Sequence, residues 1–457
     1  MTRADHPFLK YSEKLLSMQP FKILKGLASA GIAYPLAERM EKRDVRGKLN
    51  ELRNHYQIPY EQRKLLVAKK LADIVSFAGL NVPYYKDLFS SIKFNPEKIS
   101  MDVRYFDEIP YLTKDIIREQ GVRLLSKPLA DVRHHVCKTG GSTGLSCFIY
   151  YDQSAADYSS AVTLYCREST GKKKYLPELH FACRFPDETV PEWPSREDFK
   201  CFAMNRSNIF FDRIDDKGLD EIWKTLKLRK PYLAHAHPST IYALACHIER
   251  KYGGGKAFSV FESSGELLEP YMRETIQKSL KCRVINRYGL AELGVMAYEL
   301  NPKNNDLFVL DSEGYVENRI LDNGNDLVFT GYHNNLMPLI RYATGDLAKI
   351  EEREDGVYLT DIVGRIHDVV KLNGIEYPTH YIQDILDHRV GGIQEFQIDV
   401  RGEQPILRVV LELNAVQENV HSKLEQYFPD AFVIEFVNHD SFIFVGHRAK
   451  FRHVVTK

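Results

Sequence analysis

The first part of the chain shows apolar residues at helical spacing. Between residues 61 and 78 they recur along one side of a helix, at Leu65, Ala68, Leu71, Ala72 and Val75, and the pattern stops at Gly79. A shorter helical pattern over residues 114–119 follows Thr113 and precedes Gly121, which predicts a capped helix. Residues 1–125 are therefore predicted to be a mainly helical region of a large domain.

Residues 126–363 combine two patterns. Short apolar runs first alternate with helical segments such as residues 152–167 and 239–251, which is typical of helices packed on a largely parallel sheet. From residue 306 to residue 359 the pattern changes to short strands over residues 307–310, 316–321, 326–329 and 348–351. A hairpin turn is predicted at Asp322-Asn323-Gly324. We therefore predict an α/β core with a β-rich subdomain.

The tail from residue 369 alternates again. It predicts a helix, two strands, a helix and a strand over residues 381–388, 396–400, 406–413, 416–427 and 433–437. This set suffices for a separate small domain over residues 369–457, with a hinge in the polar residues 364–368. The predicted fold class is α/β, with a large N-terminal α/β domain followed by a small, mobile α+β C-terminal domain.

Composition adds few constraints on function. Lys plus Arg and Asp plus Glu number 62 each in 457 residues, so binding to nucleic acid is not indicated. The seven cysteines show no disulfide spacing, which favours a reducing compartment. No signal peptide or transmembrane segment is predicted, and we expect a cytoplasmic protein. The sequence gives no indication of an oligomeric state.

The most apolar early stretch covers residues 23–36. It is interrupted by Lys25 and is shorter than the roughly 20 residues that a membrane span needs. A helix packed on its own domain is favoured over a helix that lies on a membrane surface, flanked by Arg39, Lys42 and Arg43. The two alternatives differ in whether the apolar side chains contact protein or lipid.

A glycine-rich run at residues 138–146 is the first candidate for chemistry. It contains three glycines and four hydroxyl residues and precedes the strand-like residues 147–151. Glycines let a backbone turn sharply and approach a ligand closely, and successive N–H groups in such a turn bind anions. The hydroxyls of Thr139, Ser142 and Thr143 would add donors to phosphate oxygens. A surface turn and a phosphate-binding loop explain the run equally well.

Three further clusters follow along the chain. Tyr288 and Glu292 come just beyond a strand-like segment, where an aromatic face and a carboxylate could meet a nucleotide base and Mg²⁺. Asp346 follows Thr-Gly in a predicted turn, and one carboxylate can accept from both hydroxyls of a ribose. Arg365 places a cation at the predicted domain boundary. Each cluster taken alone is explained more simply by an ordinary turn or linker.

Taken together and in this order, the clusters match a known family. A Gly-Ser-Thr-Gly loop, a Tyr-Gly-x-x-Glu, an Arg-Tyr-x-Thr-Gly-Asp and a Gly-Arg-x-x-Asp-x-x-Lys-x-x-Gly resemble the adenylate-forming superfamily. That superfamily includes acyl–coenzyme A ligases, nonribosomal adenylation domains and luciferases. Residues 81–85, 109–114 and 446–452 resemble its phenylacetate–coenzyme A ligase branch, particularly the capsular-polysaccharide-biosynthesis relatives. The resemblance covers nearly the whole chain.

The resemblance implies an ATP site. Its phosphate loop would consist of Thr139, Gly140, Gly141, Ser142, Thr143 and Gly144. Gly265 and Glu266 would line the adenine, and Tyr288 would stack on it. Asn286 and Gly289 would belong to the same site.

The remaining implied roles concern the reaction. Asp346 and Arg365 would bind the ribose hydroxyls, and Glu292 would hold Mg²⁺. Lys450, carried by the small domain, would bridge the substrate carboxylate and the α-phosphate. Because two anions must meet in this step, a mobile cation and Mg²⁺ suit the chemistry. His367 would be the hinge residue.

The substrate pocket and two departures from the family pattern complete the picture. His235, His237 and Ser239 correspond to positions that line the acyl pocket in relatives, and core packing of the histidines is an equal alternative. Leu145 stands where many relatives have a lysine. Ala291 replaces a hydroxyl residue before Glu292, at a cost on the order of 1 kcal/mol for one hydrogen bond. Neither departure abolishes the predicted site.

The resemblance therefore implies an ATP-dependent, AMP-forming ligase. It would convert a carboxylic acid into an acyl-adenylate and transfer the acyl group to coenzyme A, or to an amine or hydroxyl of a sugar nucleotide or lipid-linked sugar. A non-catalytic descendant that binds nucleotide or a partner is the alternative, supported by Leu145 and Ala291. The spacing of Cys166, His180, Cys183 and Cys201 favours buried thiols over a zinc site.

Overall fold

The fold is taken from a computed structural model of the chain. It describes Leu15, Met18 and residues 20–138, 147–183, 195–211, 214–301, 305–321, 324–363, 369–412, 414–438, 441–445, 450–451 and 453–455. The chain divides into two compact units. Unit 1 comprises Met1–Glu41, Gly171–Asn286 and Arg365–Lys457, and unit 2 comprises Lys42–Thr170 and Arg287–Gly364. The domain boundaries drawn from the sequence stay predictions.

The bounds of the elements define the labels used below. The α-helices of the described residues are α1 Phe21–Ala28, α2 Tyr34–Met40, α3 Val45–His55, α4 Tyr60–Asn81, α5 Pro83–Ser91, α6 Lys114–Gln120, α7 Gln153–Ser169, α8 Arg196–Ala203, α9 Asp216–Arg229, α10 Pro238–Tyr252, α11 Pro270–Leu280, α12 Thr379–Ile385 and α13 Gln417–Tyr427. The strands are β1 His134–Lys138, β2 Phe148–Asp152, β3 Glu178–Cys183, β4 Arg206–Phe211, β5 Leu233–Ala236, β6 Val260–Ser263, β7 Arg283–Ile285, β8 Arg287–Leu290, β9 Gly294–Tyr298, β10 Leu307–Val309, β11 Gly314–Leu321, β12 Gly324–Gly331, β13 Tyr342–Arg353, β14 Gly356–Val363, β15 Val369–Leu372, β16 Ile375–Pro378, β17 Ile393–Asp399, β18 Ile406–Leu411, β19 Val433–Phe436, β20 Phe444–Val445, β21 Lys450–Phe451 and β22 Val454–Val455. None of the described helices is long and apolar enough to cross a membrane.

Unit 1 is built around a parallel sheet. Its described strands follow the order β4-β3-β5-β6-β7, and every neighbouring pair is parallel. Helices α9, α10 and α11 connect successive strands, because a parallel pair requires a crossover connection. Leu179, Ala234 and Phe261 on one face of the sheet join the apolar sides of these helices in a single core. The predicted α/β fold class is confirmed.

The last part of unit 1 has a hydrophobic core of its own. In its described residues the strand order is β19-β18-β17-β22, with β17 and β18 antiparallel and the outer pairs parallel. Ile382 of α12 and Leu424 of α13 are buried in that core with Phe396 and Leu407 of the sheet. The predicted order of helix, two strands, helix and strand is confirmed, although a π turn, Leu386–Val390, replaces the end of the first helix.

Unit 2 combines helices α3 to α7 with an antiparallel sheet. The described strands follow the order β11-β12-β13-β14-β10-β9-β8. The helix predicted over residues 61–78 is α4, which buries Leu71, Val75 and Ala78. The predicted stop at Gly79 is wrong, since α4 continues to Asn81. A Cβ at Gly79 would approach the ring of Phe89 to 2.7 Å, so this glycine allows α5 to pack closely.

Two local predictions in unit 2 are confirmed. The Thr113 side chain accepts a hydrogen bond from the N–H of Ile116 at 3.3 Å and so caps α6, which ends at Gly121. Strands β11 and β12 pair antiparallel, with Leu321 opposite Gly324, as the predicted hairpin requires. Residues 322–323 of that turn lie outside the described residues.

A polar turn, Asp311-Ser312-Glu313, is buried between β10 and β11. Asp311 accepts hydrogen bonds from His55 Nε2 at 2.9 Å and from Arg63 Nε at 2.8 Å. Burial opposes ionisation of Asp311, but these two donors lower its pKa. The turn therefore keeps one carboxylate ionised among buried side chains.

The neighbouring carboxyl group of Glu313 behaves in the opposite way. Burial raises the pKa of Glu313 to about 8, although the Ser312 hydroxyl donates to it at 3.0 Å. Burial also lowers the pKa of His333 to about 3, while its Nε2–H donates to the Ser312 carbonyl at 2.9 Å. At neutral pH the folded state therefore holds a protonated Glu313 beside a neutral His333.

These shifts predict opposite effects of pH on the free energy of unfolding. Glu313 destabilises the fold as pH rises from its ordinary pKa of 4.5 to about 8, because only the unfolded state then loses the proton. His333 destabilises the fold as pH falls from 6.5 to about 3, because only the unfolded state then gains a proton. Between pH 6.5 and 8, Glu313 alone should lower the free energy of unfolding by roughly 1.4 kcal/mol per pH unit.

Denaturant titrations of Glu313→Gln and of the unmodified chain at pH 6.5, 7 and 8 test this dependence. The variant should lose the decline, whereas His333→Gln should keep it. Equal slopes for Glu313→Gln and the unmodified chain would contradict the assignment.

Candidate functional site

Part of the predicted site lies outside the described residues. This holds for Thr139, Gly140, Gly141, Ser142, Thr143, Gly144, Arg365 and His367. The strands on either side of the glycine-rich run, β1 and β2, pair antiparallel with Lys138 opposite Phe148. Of Lys450 only the backbone is described, in β21 opposite Val445. The roles of these residues stay predictions.

Unit 2 brings Tyr288 and Glu292 together with Tyr342 and Asp346, and we call these four residues the tyrosine–acid cluster. The hydroxyl of Tyr288 in β8 donates to Asp346 Oδ2 at 2.8 Å. The hydroxyl of Tyr342 in β13 donates to Glu292 Oε1 at 2.7 Å. Three of the four residues were singled out from the sequence, and Tyr288 and Asp346 belong to different motifs and are 58 positions apart in the chain.

The protonation of the two tyrosines fixes the direction of these hydrogen bonds. Burial raises the pKa of Tyr288 well above its ordinary value, and the charge of Asp346 raises it further. Burial, followed by the charge of Glu292, raises the pKa of Tyr342 in the same way. Both phenols therefore stay protonated and orient the carboxylates as acceptors.

The turn predicted at Asp346 is wrong, because the residue lies inside β13. The pairing of β13 with β12 shifts register in this region, and Gly345 has a φ of 82°. The Gly345 N–H donates to Asp326 Oδ1 at 3.1 Å, and the Asp346 N–H donates to Thr344 Oγ1 at 3.1 Å. A bulge of this kind redirects side chains within a continuous strand. Here it places the Asp346 carboxylate within hydrogen-bond distance of the Tyr288 hydroxyl.

Arg341 fixes the start of β13. Its Nε donates to Glu317 Oε1 at 2.8 Å, and its Nη1 donates to the carbonyls of Ile109 at 2.6 Å and Asp107 at 2.8 Å. The residue is buried and has a φ of 52°, a conformation that is uncommon outside glycine. These bonds hold the backbone next to Tyr342 in place.

Glu292 lies near the strand that leads into the glycine-rich run. Burial raises the pKa of the Cys137 thiol to about 12, and the charge of Glu292 contributes to that rise. Cys137 is the next-to-last residue of β1. The carboxylate predicted to hold Mg²⁺ is therefore electrostatically close to the end of this strand.

Unit 1 brings the predicted pocket residues together at the carboxyl ends of β5 and β6. Glu266 accepts hydrogen bonds from the Ser239 N–H at 3.1 Å and the Ser239 hydroxyl at 2.9 Å, at the first turn of α10. A Cβ at Gly265, whose φ is 83°, would approach His237 Nε2 to 2.6 Å. Carboxyl ends of parallel strands are where α/β sheets bind ligands.

The face of this sheet opposite Leu179, Ala234 and Phe261 carries a row of ionisable residues. His180, His235 and Glu262 occupy paired positions on β3, β5 and β6. His235 Nδ1 lies 2.8 Å from the buried carboxylate of Glu262, and the two imidazole rings are 4.9 Å apart between centroids. Buried Glu178 contacts both His180 at 3.3 Å and Lys172 at 2.9 Å. We call these five residues the histidine–acid row.

The remaining predicted residues have simpler surroundings. Asn286 separates β7 from β8, and Gly289 lies in β8, where a Cβ would approach the Gly294 carbonyl oxygen to 2.3 Å. Cys166 is buried as predicted, whereas Cys201 is half-buried and its thiol donates to Glu197 Oε1 at 3.4 Å. The side chain of Cys183 lies outside the described residues.

Sequence reasoning missed Tyr342 and Glu262 and assigned His180 no role in the pocket. Tyr342 was visible, since it lies inside the Arg-Tyr-x-Thr-Gly-Asp motif. The histidine–acid row required the strand register, because its members are far apart in the chain and meet only through the pairing of β3, β5 and β6.

Proteins of known sequence and structure resemble the chain. Protein CapK of Staphylococcus aureus is 24% identical over 319 residues, which are 66% of this chain and 68% of CapK. Indoleacetate–lysine synthetase of Pseudomonas savastanoi is 22% identical over 173 residues, which are 36% of this chain and 42% of that protein. No family model matches the chain.

A solved structure covers more of the fold. It is a 2-hydroxyisobutyryl-CoA ligase in complex with 2-HIB-AMP and CoA, and it matches with a TM-score of 0.55 and 18% identity over 87% of this chain and 90% of the ligase. This chain has the fold of the adenylate-forming ligases. The resemblance that the motifs indicated is confirmed for the fold. The predicted fold class, a large α/β domain followed by a small C-terminal one, is confirmed as well.

The close approach of Gly265 to His237 in this ligase fold predicts the effect of one substitution. Gly265→Ala should displace the His237 ring, because the new methyl group takes the place of Nε2. Labelling with diethyl pyrocarbonate, followed by mass spectrometry, should show faster modification of His237 than in the unmodified chain.

Gly253→Ala is the matched control. Gly253 has a φ of 66°, but a Cβ there meets no atom within 4 Å. Both variants should lose roughly 1–2 kcal/mol of stability through the left-handed backbone, whereas only Gly265→Ala should expose His237. Equal labelling of His237 in both variants would show that the ring does not depend on the glycine.

Proposed function

We propose that the protein is an ATP-dependent, AMP-forming ligase. A carboxylate oxygen of the acid attacks the α-phosphorus of ATP, the α–β phosphoanhydride bond breaks, and pyrophosphate leaves. An acceptor then attacks the acyl carbon, AMP leaves and the acceptor loses its proton. The tyrosine–acid cluster, in the fold of a ligase solved with an acyl-adenylate, is the observation that carries this proposal.

The cluster fits two of the implied roles. Glu292 presents a carboxylate that accepts a hydrogen bond from Tyr342, a neutral donor. Carboxylate oxygens are hard ligands and suit Mg²⁺. Bound there, Mg²⁺ would neutralise charge on the phosphates. Asp346 accepts a hydrogen bond from the Tyr288 hydroxyl, and a ribose hydroxyl could be bound in the same way. Tyr288 would contribute an aromatic face to the adenine.

The other groups act by position and charge. The hydroxyls and N–H groups of the glycine-rich run would bind the β- and γ-phosphates, and Arg365 would bind the ribose. Lys450 would bring a positive charge to the carboxylate and the α-phosphate, so that the two anions can approach. Gly265 and Glu266 would line the adenine, and Asn286 and Gly289 would belong to the ATP site.

The histidine–acid row favours a polar acid substrate. The face of the sheet next to Ser239 and His237 bears His180 and His235, each against a buried carboxylate. An acid with a hydroxyl, amino or sugar-like group could add hydrogen bonds to these polar side chains, whereas a purely apolar acid would place apolar surface against polar and charged groups. We therefore propose a polar acyl group.

The acceptor and the cellular setting rest on the relatives. Coenzyme A is one acceptor, since the matched ligase was solved with it. An amine is another, since one relative is named an indoleacetate–lysine synthetase. The similarity to CapK and the capsular-polysaccharide relatives supports a sugar or lipid-linked hydroxyl or amine in surface polysaccharide biosynthesis. We propose a cytoplasmic enzyme in each case.

Carboxylate-dependent exchange of labelled pyrophosphate into ATP tests the proposal. The purified chain with Mg²⁺ should catalyse exchange with at least one acid from a panel of hydroxy, amino and sugar acids, and more slowly with unsubstituted acids. Mass spectrometry of the reaction should detect the acyl-adenylate. ATP binding without exchange for every acid would support the non-catalytic alternative instead.

Lys450→Ala separates the two half-reactions. Exchange should fall by about two orders of magnitude or more, because a charge that acts in the transition state is lost. Transfer from a supplied acyl-adenylate should change little. Lys278→Ala, which removes an exposed lysine of α11, is the control. Equal loss of both half-reactions in Lys450→Ala would show that this lysine has a structural role.

A further inference from the structure

The first helical segment of unit 1 is packed with its large apolar residues outward. Helix α1, a π turn over Ser29–Ala33 and helix α2 follow one another without a break from Phe21 to Met40, about 30 Å of helix. Leu24 is 58% exposed, Ile32 is 70% exposed and Leu36 is 55% exposed. A helix that packed on its own domain by the usual rule would bury these side chains.

Small residues occupy the inward side instead. Gly26 and Ser29 are buried, and a Cβ at Gly26 would approach the Tyr175 carbonyl oxygen to 2.0 Å. The amide nitrogen of Asn205 donates to that same carbonyl at 2.7 Å, so the backbone there is held. No larger residue fits at position 26 without displacing it. The outward direction of the leucines is therefore set by close packing on the other side.

The π turn keeps the outward residues in one line. Leu36 follows Leu24 by twelve positions, and an unbroken α-helix would rotate it by about 120° toward the protein. A π turn takes more residues per turn and so removes most of this rotation. Leu24, Leu27, Ile32, Leu36 and Met40 consequently form one exposed stripe, which we call the outward stripe.

Aromatic residues extend the apolar surface. Helix α8 packs against the π turn and α2, and Arg196 at its start donates to Glu41 Oε1 at 2.9 Å. On α8, Phe199 is 66% exposed, and Phe202 is exposed as well. Phe and Leu side chains next to cations are typical of helices that lie in a membrane interface.

Cations lie beside the outward stripe. Lys25 directly follows Leu24, and Arg39 lies between Leu36 and Met40. Arg39 is exposed and Lys25 is partly exposed. Lys22, four positions before Gly26, lies on the inward side instead and donates to the Lys230 carbonyl oxygen.

We propose that the outward stripe binds the surface of an anionic lipid bilayer. The apolar side chains would enter the boundary between headgroups and acyl chains, and Lys25 and Arg39 would contact anionic headgroups. This proposal goes beyond the ligase reaction and does not rest on it.

The charges favour lipid over a second copy of the chain. In a symmetric dimer formed through the stripe, Lys25 and Arg39 of one copy would face the same cations of the other. The acidic residues of this segment do not offset them, since Glu38 is buried and Glu41 accepts from Arg196. An anionic bilayer supplies the complementary charge.

Vesicle flotation of the full-length chain tests the proposal. Vesicles of phosphatidylcholine with about one-third phosphatidylglycerol should carry the chain upward, and vesicles of phosphatidylcholine alone should carry at least about tenfold less. The triple variant Leu24→Ser/Ile32→Ser/Leu36→Ser should lose at least about tenfold in binding to the anionic vesicles.

Matched controls separate the stripe from general effects. Leu65→Ser/Leu80→Ser/Ile320→Ser changes three apolar residues of unit 2 that are more exposed than those of the stripe, and its binding should stay unchanged. Lys25→Gln/Arg39→Gln should lose binding to the anionic vesicles, whereas Lys86→Gln/Lys224→Gln at exposed positions should not. Circular dichroism should show that all four variants are folded.

Three results would overturn the proposal. The first is equal binding to neutral and anionic vesicles, and the second is binding that the stripe variant does not weaken. The third is a dimer in sedimentation velocity that dissociates in the stripe variant while the vesicles bind no protein, which would assign the stripe to a second copy. The pyrophosphate exchange assay reads out the ligase reaction independently of all three.

Discussion

The arrangement of the tyrosine–acid cluster depends on one buried cation, Arg341. Its guanidinium is bound by Glu317 and by the carbonyls of Ile109 and Asp107, and its backbone has a positive φ. A charge at this depth is tolerated only with such a complete set of partners. Because Tyr342 is the next residue, the same bonds that satisfy the cation also fix the phenol that donates to Glu292.

The two units place their polar groups by different means. In unit 2 the acids are held by neutral phenols at a bulge in an antiparallel sheet, so the charge of Glu292 and Asp346 remains available to ligands. In unit 1 the register of a parallel sheet aligns imidazoles with buried carboxylates, which compensate each other within the row. The first arrangement suits binding of cations and hydroxyls, and the second suits recognition of a polar group.

Local elements were predictable because their causes are local. The cap at Thr113 and the hairpin that joins β11 to β12 each depend on residues adjacent in the chain. The bulge at Gly345 was not predictable, because Thr-Gly-Asp is equally a turn signal and only the pairing with β12 decides between the two. The motifs identified Tyr288, Glu292 and Asp346 of the tyrosine–acid cluster. They did not identify the contacts of Tyr342 and Glu262, which arise from strands distant in sequence.

The segment from Phe21 to Met40 shows what hydrophobic periodicity cannot predict. A hydrophobic pattern defines the faces of a helix but not which face contacts the protein. The size of the residues on the other face decides this, and here a buried glycine and serine leave room only for backbone-to-backbone approach. With small residues on the inward face and large apolar residues on the outward face, the fold keeps the stripe exposed although exposed apolar surface is unfavourable. Such a cost is offset only if the stripe is covered during function, and the neighbouring cations, Lys25 and Arg39, favour an anionic surface as its cover.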